Sequence, residues 1–180
     1  MKTTMAIAAA LLLTTMAAAQ DVRYNFDQQA DFARFKTYKW VEITGGVKLD
    51  DITAKQLRGA FESELASKGL TQTESDTADL YIGYQAAVGQ EKQLTAYNSG
   101  WGYGPGWRYG GGMGVTTATT STILVGSVAL DMYEASKKAL VWRGTASKTL
   151  DPKAKPEKRA KNISKAVAKL LKNYPPKKSS

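Results

Sequence analysis

The 180-residue chain is predicted to fold as an α+β two-layer sandwich, in which two helices cover one face of a mostly antiparallel sheet of about five strands. Two observations predict this class. Five segments alternate apolar and polar residues, as half-buried strands do, and two segments carry apolar residues at helical spacing along one face. Because neither helix buries its apolar stripe alone, each needs the apolar face of a sheet. The predicted order is β-β-α-β-β-β-α.

The first half of the chain supplies two strands, a helix and a third strand. Period-two alternation of apolar and polar residues lies at 22–26, 37–43 and 78–88. Between the second and third strands, Asp50 or Asp51 can cap a helix that ends before Gly69. A crossover of this length allows one parallel pair of strands in the sheet.

The second half supplies a hairpin and the last helix. Residues 116–133 and 139–150 are two β segments joined by a polar turn, which is typical of a β-hairpin. Pro156 suits the first turn of a helix. Leu130 and Trp142 are expected to be buried beneath this helix. Its apolar stripe consists of Ala160, Ile163, Val167, Leu170, Leu171 and Tyr174.

The N-terminal residues 1–19 have the pattern of a secretory signal peptide. Lys2 precedes an apolar run at 5–13 that is too short to span a bilayer, and three alanines end at Ala19. Cleavage after Ala19 is expected to release a soluble periplasmic or secreted protein. Gln20 stands where a lipoprotein needs its acceptor cysteine, so neither a lipid anchor nor a later transmembrane segment is expected. A single domain at 20–176 and a basic tail at 177–180 complete the predicted organisation.

Composition excludes several kinds of site. The chain contains no cysteine and no histidine, which removes zinc sites built on either residue, Ser-His-Asp and Cys-His catalysis, and haem ligation by histidine. Carboxylate chemistry, lysine chemistry and metals with oxygen ligands remain. We therefore predict no enzyme, no catalytic residue, no metal site and no cofactor.

The net charge of +9 is concentrated near the C-terminus. From residue 151 onward, ten basic side chains face two acidic ones, whereas residues 20–150 are balanced. A basic surface favours an anionic partner. In an exported protein, the expected partners are envelope proteins or anionic envelope polymers, and nucleic acid is not expected.

A segment rich in glycine and aromatic residues, at 97–114, is the candidate ligand site. Flat aromatic rings stack on sugars, and an arginine can bind an anionic substituent. The alternative is a surface insertion without a ligand, because glycine-rich bias alone is a compositional signal. The candidate binding residues are Trp101, Tyr103, Trp107, Arg108 and Tyr109.

Charged residues elsewhere have structural explanations beside functional ones. The lysines opposite the stripe of the last helix suit either a solvated face or an anionic membrane surface. Acidic residues at 50–51, 76 and 79 are candidates for a cation site, but capping explains the first pair better. Asp131 lies within a strand, and Arg143 on the facing strand is its natural partner in a structural ion pair.

Four segments of the chain form a recognisable family pattern: YNFDQQADFARFKTYKW, ADLYIGY, VALDMYEASKKALVWRGTAS and KAVAKLLKNYPP. Together they resemble a bacterial envelope family known as domain of unknown function 4136. The resemblance covers roughly residues 21–176 and supports the fold and an envelope location. It implies no catalytic residue, and many members carry a lipid-acceptor cysteine where this chain has Gln20.

These observations favour an exported, non-enzymatic envelope protein that acts as a structural or accessory module. The alternative is a module that binds glycans or envelope polymers through the aromatic segment 97–114. An enzyme with a carboxylate or lysine mechanism ranks third, since the sequence shows no second group to complete a catalytic set.

Overall fold

A computed structural model describes residues 21–43, 47–98 and 116–177, with the backbone alone at 93–98 and 116–119. It contains a six-stranded sheet in the order β1-β6-β5-β4-β2-β3 and two α-helices. The elements are β1 (Asp21–Phe26), β2 (Thr37–Trp40), α1 (Asp51–Ser67), β3 (Thr71–Gln72), β4 (Leu80–Asn98), β5 (Thr116–Glu134), β6 (Ala139–Leu150) and α2 (Pro156–Leu170).

The predicted fold class is confirmed, with one additional strand. The pairs β1–β6, β6–β5 and β5–β4 are antiparallel, whereas β4–β2 and β2–β3 are parallel. The parallel β2–β4 pair results from the crossover through α1. The extra strand is β3, whose two residues follow α1 and are too few to show an alternating pattern.

Local signals in the sequence set the ends of both helices. Asp50 is the N-cap of α1, because its Oδ1 accepts a hydrogen bond from the Thr53 amide at 2.9 Å. Gly69 follows the helix with φ of +83°, a conformation that other residues adopt at a cost. Pro156 occupies the first turn of α2, where its missing N–H leaves no helical hydrogen bond unmade.

The core lies between the helix layer and one face of the sheet. Leu130 and Trp142 are fully buried, as expected, and so are Val167 and Leu170 of α2. Ile163, also expected there, is only partly buried. From α1, the buried side chains are Leu57, Phe61 and Leu65.

Two predicted strand ends were wrong. β2 ends at Trp40 rather than continuing to residue 43, although the Val41 amide still donates to the Ile82 carbonyl at 2.8 Å. β4 continues to Asn98, ten residues past the predicted end. It therefore includes the first two residues of the segment 97–114, which was expected to be irregular throughout.

Neither of the helices in the described residues has the length and apolar character needed to cross a bilayer.

Candidate functional site

The candidate binding residues Trp101, Tyr103, Trp107, Arg108 and Tyr109 lie outside the described residues. The strands on either side of them are described. β4 and β5 approach residues 99–115 from both ends, and their terminal residues Asn98 and Thr116 are paired with each other.

The ends of β4 and β5 form a two-stranded arm, residues 91–98 and 116–123. The antiparallel register is continuous from Leu80, opposite Glu134, to Asn98, opposite Thr116. β6 accompanies β5 only as far as the pair between Leu124 and Leu150. Eight further residue pairs therefore extend past the end of β6, over about 25 Å at the usual rise of a strand.

The register determines which backbone N–H and C=O groups of the arm point outward. The Val41 and Val47 amides donate to the carbonyls of Ile82 and Ala86, so even-numbered residues of β4 direct their backbone groups away from β5. Even-numbered residues of β4 pair with even-numbered residues of β5, so the even-numbered residues of β5 direct their backbone groups away from β4. The backbone groups of Thr120 therefore point outward, toward the side that β6 occupies lower in the sheet. Within the described ranges, no strand pairs with this edge of the arm.

A groove of about 500 Å³ lies between the helix layer and the sheet at the base of the arm. Its floor is a row of paired residues on three neighbouring strands, Ala86, Val128 and Ala146. Leu57 of α1 and Ile163 of α2 line it from above. This volume and this mostly apolar lining are typical of sites for small molecules, which are roughly 300–1,000 Å³.

The groove exists because small residues replace large ones along the sheet. One step deeper, the row contains Tyr84 and Leu130, and the rings of Tyr84 and Phe61 are 5.7 Å apart. At the groove, Ala86 takes the place of Tyr84 on β4 and Val128 that of Leu130 on β5, while β6 has a small residue in both rows. The smaller side chains leave the space between the helices unfilled.

The mouth of the groove exposes apolar side chains next to charged ones. Val88 and Leu150 are 52% and 41% exposed. Of the cations that line the groove, Lys148 donates to the neutral Asn162 Oδ1 at 3.0 Å, and Arg159 donates to the carbonyls of Pro152 and Ala154 at 2.9 Å.

The carboxylates that line the groove already have donors. Asp50 accepts from the Thr53 amide at the cap of α1. Asp151 accepts from Lys158 at 3.1 Å, and this hydrogen bond is the main cause of its lowered pKa, to which the charge of Arg159 adds. Lys148 and Arg159, the two cations that line the groove, therefore both have only neutral hydrogen-bond partners among the described residues.

A second, polar pocket of about 400 Å³ lies at the opposite end of the sheet and includes Asp79. The Oδ2 of Asp79 accepts from the amides of Lys36 and Thr37 at 2.8 and 2.9 Å and from the Thr37 hydroxyl at 2.9 Å. These bonds, the Lys36 amide first, lower the pKa of Asp79. The Asp79 carboxylate links the start of β2 to the start of β4. This structural role accounts for the carboxylate without a bound cation.

Glu134, beside this pocket, is a buried carboxylate with three donors. Arg34 forms an ion pair with it, Ser136 Oγ donates to Oε1 at 2.8 Å, and Lys137 Nζ lies 3.2 Å from Oε2. Burial raises the pKa of Glu134, but the bonds from Ser136 and Lys137 and the charge of Arg34 lower it overall. This cluster was not predicted from the sequence, because Arg34 is 100 residues away from Glu134 along the chain.

The predicted ion pair between Asp131 and Arg143 is confirmed. The two residues face each other on β5 and β6, and Arg143 Nε and Nη2 donate to the two carboxylate oxygens at 2.5 Å each. Asp131 is 2% exposed, on the sheet face opposite the helices. The hydrogen bonds and charge of the carboxylate raise the pKa of Arg143, and the pair has a structural role.

The lysines of α2, and Lys172 just after it, are exposed, as expected for the outer face of a docked amphipathic helix. The apolar stripe meets the sheet through Val167 and Leu170, while these side chains face solvent: Lys158, Lys161, Lys165, Lys169 and Lys172. The other prediction, contact with an anionic membrane surface, stays a prediction.

Residues 22–176 match the family described as "Domain of unknown function (DUF4136)", which confirms the family suggested by the sequence segments. No protein of curated function matches the chain.

Two solved structures are similar in fold. A PDZ domain protein from Parabacteroides distasonis has 16% identity and a TM-score of 0.53, with 89% of this chain and 37% of that chain covered. A PelC dodecamer from Paraburkholderia phytofirmans has 15% identity and a TM-score of 0.50, with 85% of this chain and 95% of that one covered. The chain thus spans little more than a third of the PDZ domain protein. At these identities, the similarity concerns the fold alone.

Proposed function

This chain belongs to the family of domain of unknown function 4136, and we propose that it is an exported, non-enzymatic protein of the bacterial cell envelope. In this proposal it is a structural or accessory module that acts through contacts with other envelope proteins. Export is supported by the signal-peptide pattern of residues 1–19, with cleavage after Ala19. The location that follows is periplasmic or secreted, without a lipid on Gln20.

The arm is the observation that carries the proposal. A two-stranded ribbon is at best marginally stable by itself in water, yet eight residue pairs of β4 and β5 continue beyond β6. Exposed edge strands usually carry lysine or proline, which prevents further pairing. Residues 116–123, TTATTSTI, contain neither and carry no charge. An edge of this kind suits the addition of an extended strand from a partner.

The test places a photo-crosslinking amino acid at Ser121 in the arm, or at Lys172 as a control just past the C-terminal end of α2, in cells that export the protein. A discrete crosslinked partner at Ser121 and none at Lys172 is expected. Thr120→Pro removes an outward amide without removing a β4–β5 hydrogen bond, and it should abolish the crosslink. Thr120→Val retains the amide and should preserve the crosslink. Equal crosslinking by both variants would contradict strand addition.

Export is measured separately. Mass spectrometry of the protein from the periplasmic fraction should give a chain that begins at Gln20 with no added lipid. An intact Met1 terminus, or recovery in the membrane fraction, would contradict the proposed location.

The second candidate function is glycan or envelope-polymer binding through Trp101, Tyr103, Trp107, Arg108 and Tyr109. The observation that favours it is the continuous pairing of β4 and β5 up to Asn98 and Thr116, between which these residues lie in the sequence. A glycan array comparing the wild-type protein with a variant that lacks residues 97–114 tests it. Binding that the deletion abolishes would favour this candidate, and absence of binding by the wild type would reject it.

A further inference from the structure

We propose that the groove at the base of the arm binds the hydrocarbon chain of a free, single-chain anionic amphiphile of the fatty-acid class, with Lys148 at its headgroup. This site is independent of the strand addition proposed for the arm, so either proposal can fail alone.

The shape of the groove favours one unbranched chain. Ala86, Val128 and Ala146 form an apolar floor, and Leu57 and Ile163 line the opposite side. The five side chains offer dispersion contacts and no hydrogen-bonding group, so an occupant without polar atoms along its length fits them. The volume of about 500 Å³ lies in the range of sites for small molecules.

The charges at the groove favour an anion at one end of that chain. Lys148 has only a neutral amide oxygen as partner, whereas the carboxylates of Asp50 and Asp151 already accept hydrogen bonds. The adjoining segment from residue 151 onward is strongly basic. A carboxylate or sulfonate headgroup would give Lys148 a charge-assisted hydrogen bond, which is roughly twice as strong as a neutral one.

Exposed apolar side chains lie at the mouth of the groove, where a ligand would enter. Val88 of β4 and Leu150 of β6 are about half exposed at the mouth of the groove. The Leu150 side chain lies over Gly126, 2.9 Å from the point where a Cβ on Gly126 would be. An apolar occupant would cover these side chains, which are now in contact with water.

The experiment titrates the full chain with cis-parinaric acid, a fluorescent long-chain fatty acid, and with its methyl ester, which has the same chain and no charge. Saturable binding of the acid with one site per protein is expected. Lys148→Gln should weaken binding of the acid about tenfold and leave binding of the ester unchanged. Lys165→Gln, on the exposed face of α2, is the matched control and should change neither.

Two further variants test the location of the site. Ala146→Phe fills the floor and should abolish binding of acid and ester, whereas Thr145→Phe, on the opposite face of the same strand, should preserve both. If Ala146→Phe does not fold, Val88→Glu at the exposed mouth replaces it and should weaken binding of the acid more than that of the ester.

Three results would overturn the proposal. The first is undiminished binding in Ala146→Phe, or in Val88→Glu where Ala146→Phe does not fold. The second is equal affinity for acid and ester together with no effect of Lys148→Gln. The third is binding to vesicles of anionic phospholipid without any binding of the free acid, which would indicate a membrane surface instead of a chain-binding groove.

Discussion

Replacing Leu170 by alanine tests whether α2 is docked on the sheet. Leu170 is 1% exposed, and its Cδ1 lies 2.8 Å from the point where a Cβ on Gly144 would be. The change removes three carbon atoms from the core, each contributing about 0.8 kcal/mol of transfer free energy. The cavity that remains adds to this loss, so the free energy of unfolding should fall by roughly 3 kcal/mol, within the usual 2–5.

Urea unfolding followed by tryptophan fluorescence and circular dichroism measures this change. At about 2–4 °C per kcal/mol for a domain of this size, the melting temperature should fall by roughly 10 °C. Lys169→Ala, at the exposed neighbouring position, is the control and should stay within about 0.5 kcal/mol of wild type. An unchanged unfolding midpoint in Leu170→Ala would show that α2 does not pack on β6, and the argument for the core would be wrong.

A double-mutant cycle makes the same test sharper. A Cβ at Gly144 would meet Leu170 Cδ1 and the ring of Trp142, including Cη2, so Gly144→Ala alone should cost about 1–3 kcal/mol. Shortening Leu170 removes one of these clashes. The double variant should therefore be more stable than the sum of the single effects indicates, by about 1 kcal/mol. Strict additivity would contradict the contact between Gly144 and Leu170.

Three other predictions concern two glycines in and after α1, the pH dependence of stability and the ion pair. Gly59→Ala, exposed inside α1, should raise the free energy of unfolding by about 1 kcal/mol, whereas Gly69→Ala, at φ +83°, should lower it by about 1 kcal/mol in the same urea assay. Asp79→Asn should be less stable than wild type above pH about 4. Because the pKa of Asp79 is lowered in the folded state, this difference should disappear as the pH falls through that lowered value, and a difference that persists in acid would contradict it. Arg143→Gln should cost about 2 kcal/mol by leaving Asp131 buried without its partner, and adding Asp131→Asn should restore part of the loss; no recovery would contradict the pair.

The parts of the fold that the sequence predicts correctly depend on neighbours along the chain. The capping carboxylate of Asp50, the glycine at 69 and the proline at 156 act within a few residues of themselves, so their effects appear in the sequence. The pair of Asp131 and Arg143 was also predicted, since both residues lie close to the turn on the two strands of one hairpin. The register shift between Met132 and Tyr133, which brings the two residues opposite each other, was not predicted.

The parts that the sequence does not predict depend on distant contacts. β3 has two residues and forms because the chain leaving α1 passes beside β2, where the Thr71 amide donates to the Lys36 carbonyl at 2.8 Å. Glu134 is satisfied by Arg34 from another part of the chain. The groove lies over Ala86 and Ala146, two small residues that are far apart in the sequence. A small residue at an inward strand position is a signal only when its neighbours in space are known.

The arm results from a mismatch in length between the two layers. β4 and β5 have 19 residues each and span about 65 Å, whereas α1 and α2 have 17 and 15 residues and span about 25 Å. Helices that cover the sheet from one end must leave its other end bare. The groove lies where the N-terminal halves of α1 and α2 still cover the sheet, over the small residues Ala86 and Val128. Where the helices and β6 have both ended, β4 and β5 continue as the arm.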